Sequence, residues 1–472
     1  MNFMPALAEI VMLIMVCVIM FADLFLGRRY KALSYALAQL TLIAAAVCTW
    51  RTLGPMAEIT FDGQFVLDRL AGILKMFMYV ATFASFLFSR RYIADRHIPS
   101  GEFYLLTLLS LLGAMVLVSA NSLLTLYIGL ELLSLPLYAL VAIRREAGKC
   151  SEAAMKYFIM GALASGMLLY GMSLIYGETG SIILPTIASS LNNQANSVVL
   201  FGTAFVLVAS CFKLGAAPFH MWVPDVYEGS PTAVTIYLGS VPKLAAFAML
   251  IRLLVEALPA AAGHWQAALS AIALLCLIGG NLAALMQKNF KRLLAYSTIG
   301  HVGFILLGVA MGTFSSYGAA LFYSLIYILM AVGGFAVILI LSKVGFEADK
   351  IDDFAGLNNR HAWLAFMLML LLLSMAGIPP LVGFTAKLMV LKSLVDQQHY
   401  YLAFIALFMS VIAAYYYIRV IKVMYFDAPM QVAKIELPTD MVVAISVNGL
   451  LMLGLGMLPA GLIAYCYQVF AG

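Results

Sequence analysis

Long apolar stretches alternate along the chain with short polar joints. Read between the polar breaks, the pattern predicts fourteen helices, near 6–26, 31–50, 68–89, 103–120, 122–143, 153–176, 197–222, 232–256, 266–286, 293–312, 317–342, 361–395, 400–418 and 440–466. Most are close to the about 20 residues that a helix needs to cross the hydrocarbon of a bilayer. The fold class expected is an all-α polytopic membrane protein. The first stretch begins within a few residues of Met1 and carries Glu9 rather than the basic flank of a cleaved signal peptide, so it is read as a retained helix.

Composition supports this reading. The chain is 64% hydrophobic and 10% charged, with a mean hydropathy of +1.02, whereas soluble domains are typically about 45–50% apolar and about 25% charged. The first partner implied is therefore the lipid bilayer, and nucleic acid is not an expected one. The six cysteines (Cys17, Cys48, Cys150, Cys211, Cys276, Cys466) stand singly, without the paired spacing of a zinc site, an iron–sulfur cluster or a redox dithiol. No glycine-rich phosphate loop is present. The expectation is that this chain binds no metal and no cofactor, and that any electron transfer takes place in another subunit.

Charge then orients the helices. Alternate joints carry Arg28, Arg29 and Lys31; Arg90, Arg91 and Arg96; Arg144, Arg145 and Lys149; Lys288, Lys291 and Arg292; Lys343, Lys350 and Arg360; and Arg419, Lys422 and Lys434, which is 18 of the 27 basic residues. The opposite joints hold Arg51, with Arg252 and Lys392 near helix ends. By the positive-inside rule the basic joints face the cytoplasm and both termini the periplasm of a bacterial inner membrane.

Six basic residues remain inside the predicted spans: Arg69, Lys75, Lys156, Lys213, Lys243 and Lys387. Arg69 and Lys75 open the third span, where a boundary or snorkelling role is expected. Lys156 lies about one turn inside the sixth span, where snorkelling and a proton-relay role are both open. Lys213, Lys243 and Lys387 lie deeper. So does Glu131, midway through the fifth span, where a charge costs at least about 2.5 kcal/mol and must face protein or water. Pro136 follows in the same helix and leaves the carbonyl of Leu132 without its helical partner. Burial disfavours a charged lysine and a neighbouring carboxylate favours it, so a lysine in such surroundings can exchange protons, or can be locked in a structural ion pair. His301, in the tenth span, is a candidate relay or a packing histidine. A haem held by His301 and His220 is disfavoured, because no other axial-ligand pattern accompanies them.

Two spans are interrupted. Residues 361–395 would make a helix of about 50 Å, too long for a bilayer unless broken. Pro379 supplies that break, and Pro218 supplies one in the seventh span. Unwound backbone at membrane depth is tolerated only inside protein or beside a wet cavity, and Lys213 and Lys387 flank the two breaks. His220, beside the first, is read as a cap in preference to a proton acceptor. Because the broken helices are five spans apart, spans 4–8 and 9–13 are expected to be inverted repeats, the arrangement that marks transport paths in membrane proteins. The expected organisation is an N-terminal three-helix segment (1–101), a first five-helix repeat (102–257), a second inverted repeat (258–427) and a last helix (428–472).

The segments LELLSLPLYAL around Glu131, KLGAAPFHMWVPDVYEGSPT after Lys213, SVPKLAAF with Lys243, KRLLAYSTIGHVGF before His301 and AGIPPLVGFTAKL ending in Lys387 resemble the antiporter-like membrane subunits of proton-pumping NADH:quinone oxidoreductase, respiratory complex I. The resemblance covers essentially the whole chain. It is strongest to the subunit N branch, because Lys387 stands where a sister subunit places Glu, and because the chain stops soon after the fourteenth span whereas another sister has a long lateral helix. It implies that Glu131, Lys213, Lys243 and Lys387 form a central proton-transfer axis, with Lys156 as an added basic relay. It also implies that FMN, iron–sulfur clusters and quinone are used by other subunits, and that the partners are neighbouring antiporter-like and small membrane subunits. Span eleven departs from full repeat symmetry, offering Tyr323 and Tyr327 rather than a lysine or histidine. The function expected is proton translocation coupled electrostatically to quinone reduction elsewhere. The alternatives are a subunit of a multi-subunit cation/proton antiporter, against which a base-rich buried set counts, and a non-conducting assembly scaffold.

Overall fold

The computed structural model describes residues 2–26, 31–191, 195–428 and 437–471. Arg28 and Arg29 of the first basic joint and Lys434 of the last lie outside the described residues. The fold is mostly helical, and among the described residues thirteen helices are long and apolar enough to cross a membrane. The twelfth span is not among them because it consists of two 15-residue helices, Ala362–Ala376 and Val382–Asp396. The fourteen-span pattern and the thirteen long helices therefore agree.

Three spans differ from the apolar pattern. The seventh stops as a helix at Leu214, eight residues before the expected end, because Gly215 takes a left-handed backbone (φ 73°) that ends the hydrogen-bond ladder. The eighth, expected to be continuous, is divided at Gly239 and Ser240 into Thr232–Leu238 and Val241–Leu250, and continues as a π-helical turn over Ile251–Ala257. The last span is likewise two helices, Thr439–Met457 and Ala460–Phe470, parted at Leu458 and Pro459. Hydropathy does not mark the divisions of the eighth and last spans, because one or two residues such as Gly239, Ser240 or Pro459 scarcely change the mean of an apolar span.

By its packing the chain divides into two compact units. The first comprises residues 1–86, 97–214 and 229–265. Without a hydrophobic drive between helices in lipid, close packing at small residues holds them together. The fourth and fifth spans (Ser100–Val118 and Leu123–Val141) meet at Gly113 and Gly129, where an added Cβ would lie 2.2 Å from the Leu133 nitrogen and 2.6 Å from the Leu117 nitrogen. Gly171 and Gly202 do the same for the sixth and seventh spans.

The end of the first unit that bears few Lys and Arg is closed by a feature the hydropathy pattern does not show. A two-stranded antiparallel hairpin, Glu58–Thr60 with Phe65–Leu67, lies before the third span. Val66 donates to the Ser119 carbonyl (2.9 Å), Asn121 donates to that of Gln64 (2.9 Å), and Leu184 donates to that of Asn121 (3.0 Å). Polar backbone that could not lie bare beside lipid is satisfied within the protein.

Lys75 corrects its sequence assignment. It does not snorkel at a boundary: it is fully buried in the third helix, Arg69–Asp95, and pairs at 2.5 Å with Glu9 of the first helix, Leu7–Leu26. Each charge makes burial of the other tolerable, a pairing across 66 residues that local pattern cannot show. Arg69 is half-buried at the start of the same helix. Arg252 is buried on the π-helical turn, where it binds Asp68 (2.8 Å) and Glu256 (2.8 Å) and donates to the carbonyl of Val118 (3.1 Å), the last residue of the fourth span.

The second unit comprises residues 87–96, 215–228 and 266–472. Its central element is the eleventh span, Phe314–Leu341, whose apolar window is wholly buried. Stretch 215–228 is anchored within this unit. The Ala217 N–H donates to Cys276 Sγ (3.0 Å), and Arg292 pairs with Asp225 (2.9 Å) and Glu228 (3.0 Å).

Candidate functional site

In the first unit, Ser122 caps the fifth helix by accepting from the Thr125 N–H (3.1 Å), which places Glu131 two turns further along. Glu131 is half-buried, and its Oε1 is buried with no hydrogen-bond partner among the described residues. Lys213 is buried near the end of the seventh helix, Ser197–Leu214, and its Nζ donates to Ser134 Oγ (3.1 Å), one turn from Glu131. Ser110 donates to the Leu133 carbonyl (3.0 Å), next to the one that Pro136 deprives of its partner, and in turn accepts from Tyr237 (3.2 Å).

Lys243 sits in Val241–Leu250, the second piece of the eighth span, and is 4% exposed. Its Nζ donates to the carbonyl of Leu214 (2.8 Å), the residue on which the seventh helix ends. The last carbonyls of a helix lack intrahelical partners and carry the negative end of its dipole. A buried ammonium there satisfies an orphan acceptor in a place water would otherwise have to reach.

The second unit repeats this contact. Ala362–Ala376 ends where Gly377 takes a left-handed backbone (φ 85°), and Lys387, on Val382–Asp396, donates from Nζ to the Ala376 carbonyl (2.9 Å). Glycines permit the approach: a Cβ on Gly383 would lie 1.8 Å from the Ser374 carbonyl oxygen, and one on Gly377 2.8 Å from Lys387 Cδ. In both interrupted spans a left-handed glycine ends the helix, and Pro218 and Pro379 follow it in the unwound stretch, where a missing N–H and a fixed φ keep the helix from continuing.

Around Lys387 the second unit gathers neutral hydrogen-bonding groups. His301, on the tenth helix Phe290–Ala310, is buried between Tyr323 Oη (2.8 Å from Nδ1) and Tyr417 Oη (3.2 Å from Nε2). Tyr327 donates to Thr298 Oγ1 (2.9 Å), and Ser297 and Tyr417 hydroxyls are 2.5 Å apart. Tyr417 and Ser297 escaped the sequence reading because hydroxyls in an apolar span resemble ordinary packing; the spacing of Ser297 and His301, one turn apart on one helix, was the signal available.

Not every candidate joins these clusters. Lys156 is exposed on the sixth helix, Gly148–Thr179, and pairs with Glu152 one turn away (2.8 Å). The His220 carbonyl accepts from the Val223 N–H (2.9 Å) at the start of helix Trp222–Gly229, while its Nδ1 is buried with no hydrogen-bond partner among the described residues. Among the described residues no group of three or more His, Cys, Asp or Glu is placed to hold a metal ion.

Residues 120–413 match the family described as NADH:quinone oxidoreductase/Mrp antiporter, transmembrane. The chain belongs to this family. Curated relatives resemble it over nearly their full length: the NADH-quinone oxidoreductase subunit N of Thioalkalivibrio sulfidiphilus is 49% identical over 97% of this chain and 96% of its own, and that of Coxiella burnetii is 49% identical over 99% of each. Among solved structures, a chain of respiratory complex I from Thermus thermophilus superposes with a TM-score of 0.83 at 31% identity, covering 97% of this chain and 98% of that one. A chain of the Mrp complex from a Dietzia species has a TM-score of 0.87 at 20% identity, covering 100% and 97%, and shares the fold. The matched segment of this antiporter-family chain contains Glu131 and all three deeply buried lysines of the clusters above.

Proposed function

We propose that this chain is the subunit N type of proton-translocating membrane subunit in a bacterial inner-membrane NADH:quinone oxidoreductase. NADH oxidation and quinone reduction take place in other subunits, which carry the FMN and iron–sulfur clusters, and this chain moves protons. The reading rests most on one observation: Lys243 and Lys387, both buried, each hold the carbonyl that ends a helix interrupted at a left-handed glycine. A charged lysine is attracted to that helix end and a neutral one far less so. Proton occupancy and the position of the broken helix are thereby linked, which supplies the two-arrangement element that a pump requires.

In this reading energy enters as a change of charge near Glu131. Because Lys213 is held by Ser134, one turn from Glu131, removing or adding a charge at Glu131 alters how strongly Lys213 holds its proton. The proton is released to Lys243 and then passes through the Lys387 cluster to the periplasmic side. Spans 4–8 and 9–13 serve as the two inverted repeats of the transport path, the basic joints face the cytoplasm, and both termini face the periplasm. A cation/proton antiporter subunit is the competing assignment. Full-length relatives at 49% identity bearing the oxidoreductase name favour the pump.

The test uses the assembled complex. Glu131→Ala and Lys213→Ala are each expected to lower the protons moved per electron pair while NADH oxidation continues. Wild-type stoichiometry in both variants would remove the proposal.

A further inference from the structure

Tyr417 has no distinguishing signal in the sequence and lies outside the proposed route from Glu131 to Lys387. It lies on the thirteenth span, Tyr400–Phe426, with its hydroxyl against His301 Nε2 (3.2 Å) and Ser297 Oγ (2.5 Å). A cavity of ≈10 Å³ is lined by Lys387, His301, Tyr417 and Ser410. That is room for about one water molecule, which needs two to four polar partners. Ser410 Oγ is buried with no hydrogen-bond partner among the described residues. Two polar groups near Tyr417 lie toward the basic joint at 288–292. Ser297 is one turn from His301 in that direction, and Asn281, which accepts from Tyr416 (3.0 Å), is one turn from the end of the ninth helix at the same joint. On the other side of His301 the tenth helix continues with apolar residues from Phe304 to Ala310, interrupted only by Gly308.

We infer that Tyr417 is a proton-relay residue, connecting the Lys387–His301 cluster through Ser297 toward the basic-joint end of the second unit. The inference rests on the pump reading and adds an entry to it on the thirteenth span: besides the proton handed on from Lys243, a neutral Lys387 takes one from the basic-joint end. A proton arriving at Ser297 Oγ is accepted on a lone pair while the serine gives its own proton to Tyr417 Oη. Tyr417 repeats the exchange toward the cavity, where one water passes the proton to the neutral amine of Lys387. Each oxygen gains one proton and loses one, so neither tyrosinate nor alkoxide forms. The hydroxyls rotate back before the next transfer.

The experiment compares membrane vesicles containing the complete complex, reading the acidification per NADH oxidised. Tyr417→Phe, which removes one oxygen, is expected to lose part of the pumping that Lys387→Ala loses. Ser297→Ala is expected to do the same, and Ser297→Thr, which keeps the hydroxyl, to retain it. Tyr415→Phe, at an exposed position two residues away, is expected to pump like wild type. Wild-type pumping in Tyr417→Phe beside a defective Lys387→Ala overturns the relay and leaves the pump reading intact. Wild-type pumping in Lys387→Ala removes the reading on which the relay depends. Should Tyr417→Phe fail to assemble, the serine pair decides: equal loss in the alanine and threonine variants overturns the relay.

Discussion

The two broken helices present the same contact in different company. At the first, Lys243 holds the carbonyl of Leu214, and the residue before Leu214 is Lys213, which is held by Ser134 one turn from Glu131. At the second, a lysine on the carbonyl of Ala376 shares a cavity with a histidine and a tyrosine and stands 5.5 Å from the ring of Phe304. A carboxylate can change charge and so impose a signal on its neighbours, whereas imidazole and hydroxyl groups pass protons on without fixing a charge nearby. In the proposed scheme the first site receives the electrostatic input and the second conducts. A second kind of cap sharpens the contrast. Arg252 on Val118 and Arg419 on Leu285 (3.0 Å) also hold terminal helix carbonyls, but arginine does not lose its proton in a protein. Those caps are permanent, whereas lysine is a cation that can lose its proton.

The largest effect should come from closing the approach at the second break. Gly383→Ala forces a Cβ into the Ser374 carbonyl and is expected to destabilise the chain by about 3 kcal/mol, read as loss of the assembled complex on native gels. Normal assembly would mean that the contact between the two half-helices is looser than the geometry indicates. Next come Lys243→Arg and Lys387→Arg, which preserve a cation on the helix end and remove the ability to release it. Each should assemble normally yet slow proton transfer through this chain by about a hundredfold, measured as acidification in sealed vesicles. Normal pumping in either would abolish the distinction between permanent and switchable caps.

Glu131→Gln separates the two sites more finely. It removes the charge but keeps the shape, so the protons moved per NADH should fall by about tenfold through this chain, while His301, Tyr417 and Lys387 retain their contacts. A loss that Lys387→Arg does not deepen is expected of steps in series; a further loss on combining them would mean the sites conduct independently. The smallest change is predicted for Lys156→Met. Its partner Glu152 is an exposed neighbour on the same helix, and such pairs contribute about 0.5 kcal/mol or less. Thermal unfolding should therefore be nearly unchanged, and a pumping defect without a stability defect would place Lys156 in the relay.

Much of the fold was legible because the cost of exposing polar groups to lipid acts on every residue in turn. Apolar length marks the spans, and the Gly–Pro runs LGAAP and AGIPP mark two interruptions, since a left-handed glycine ends a helix and proline cannot extend it. The same cost makes Glu131, Lys213, Lys243 and Lys387 conspicuous. What stayed hidden had no such local signature. The division of the eighth span at Gly239 and Ser240, the hairpin at 58–67 and the hydroxyls of Ser297 and Tyr417 are compositionally ordinary.

From its order of residues alone, the chain determined that it would cross a membrane many times and which charges would be carried inside, because both follow from the transfer of single residues out of water. Only the tertiary structure decided what those charges touch. Lys75 meets Glu9 across 66 positions, Lys243 meets Leu214 across 29, and His301 meets Tyr417 across 116. Contacts between residues so far apart are set by which helix faces pack together, and packing is a property of the assembled helices rather than of any one of them.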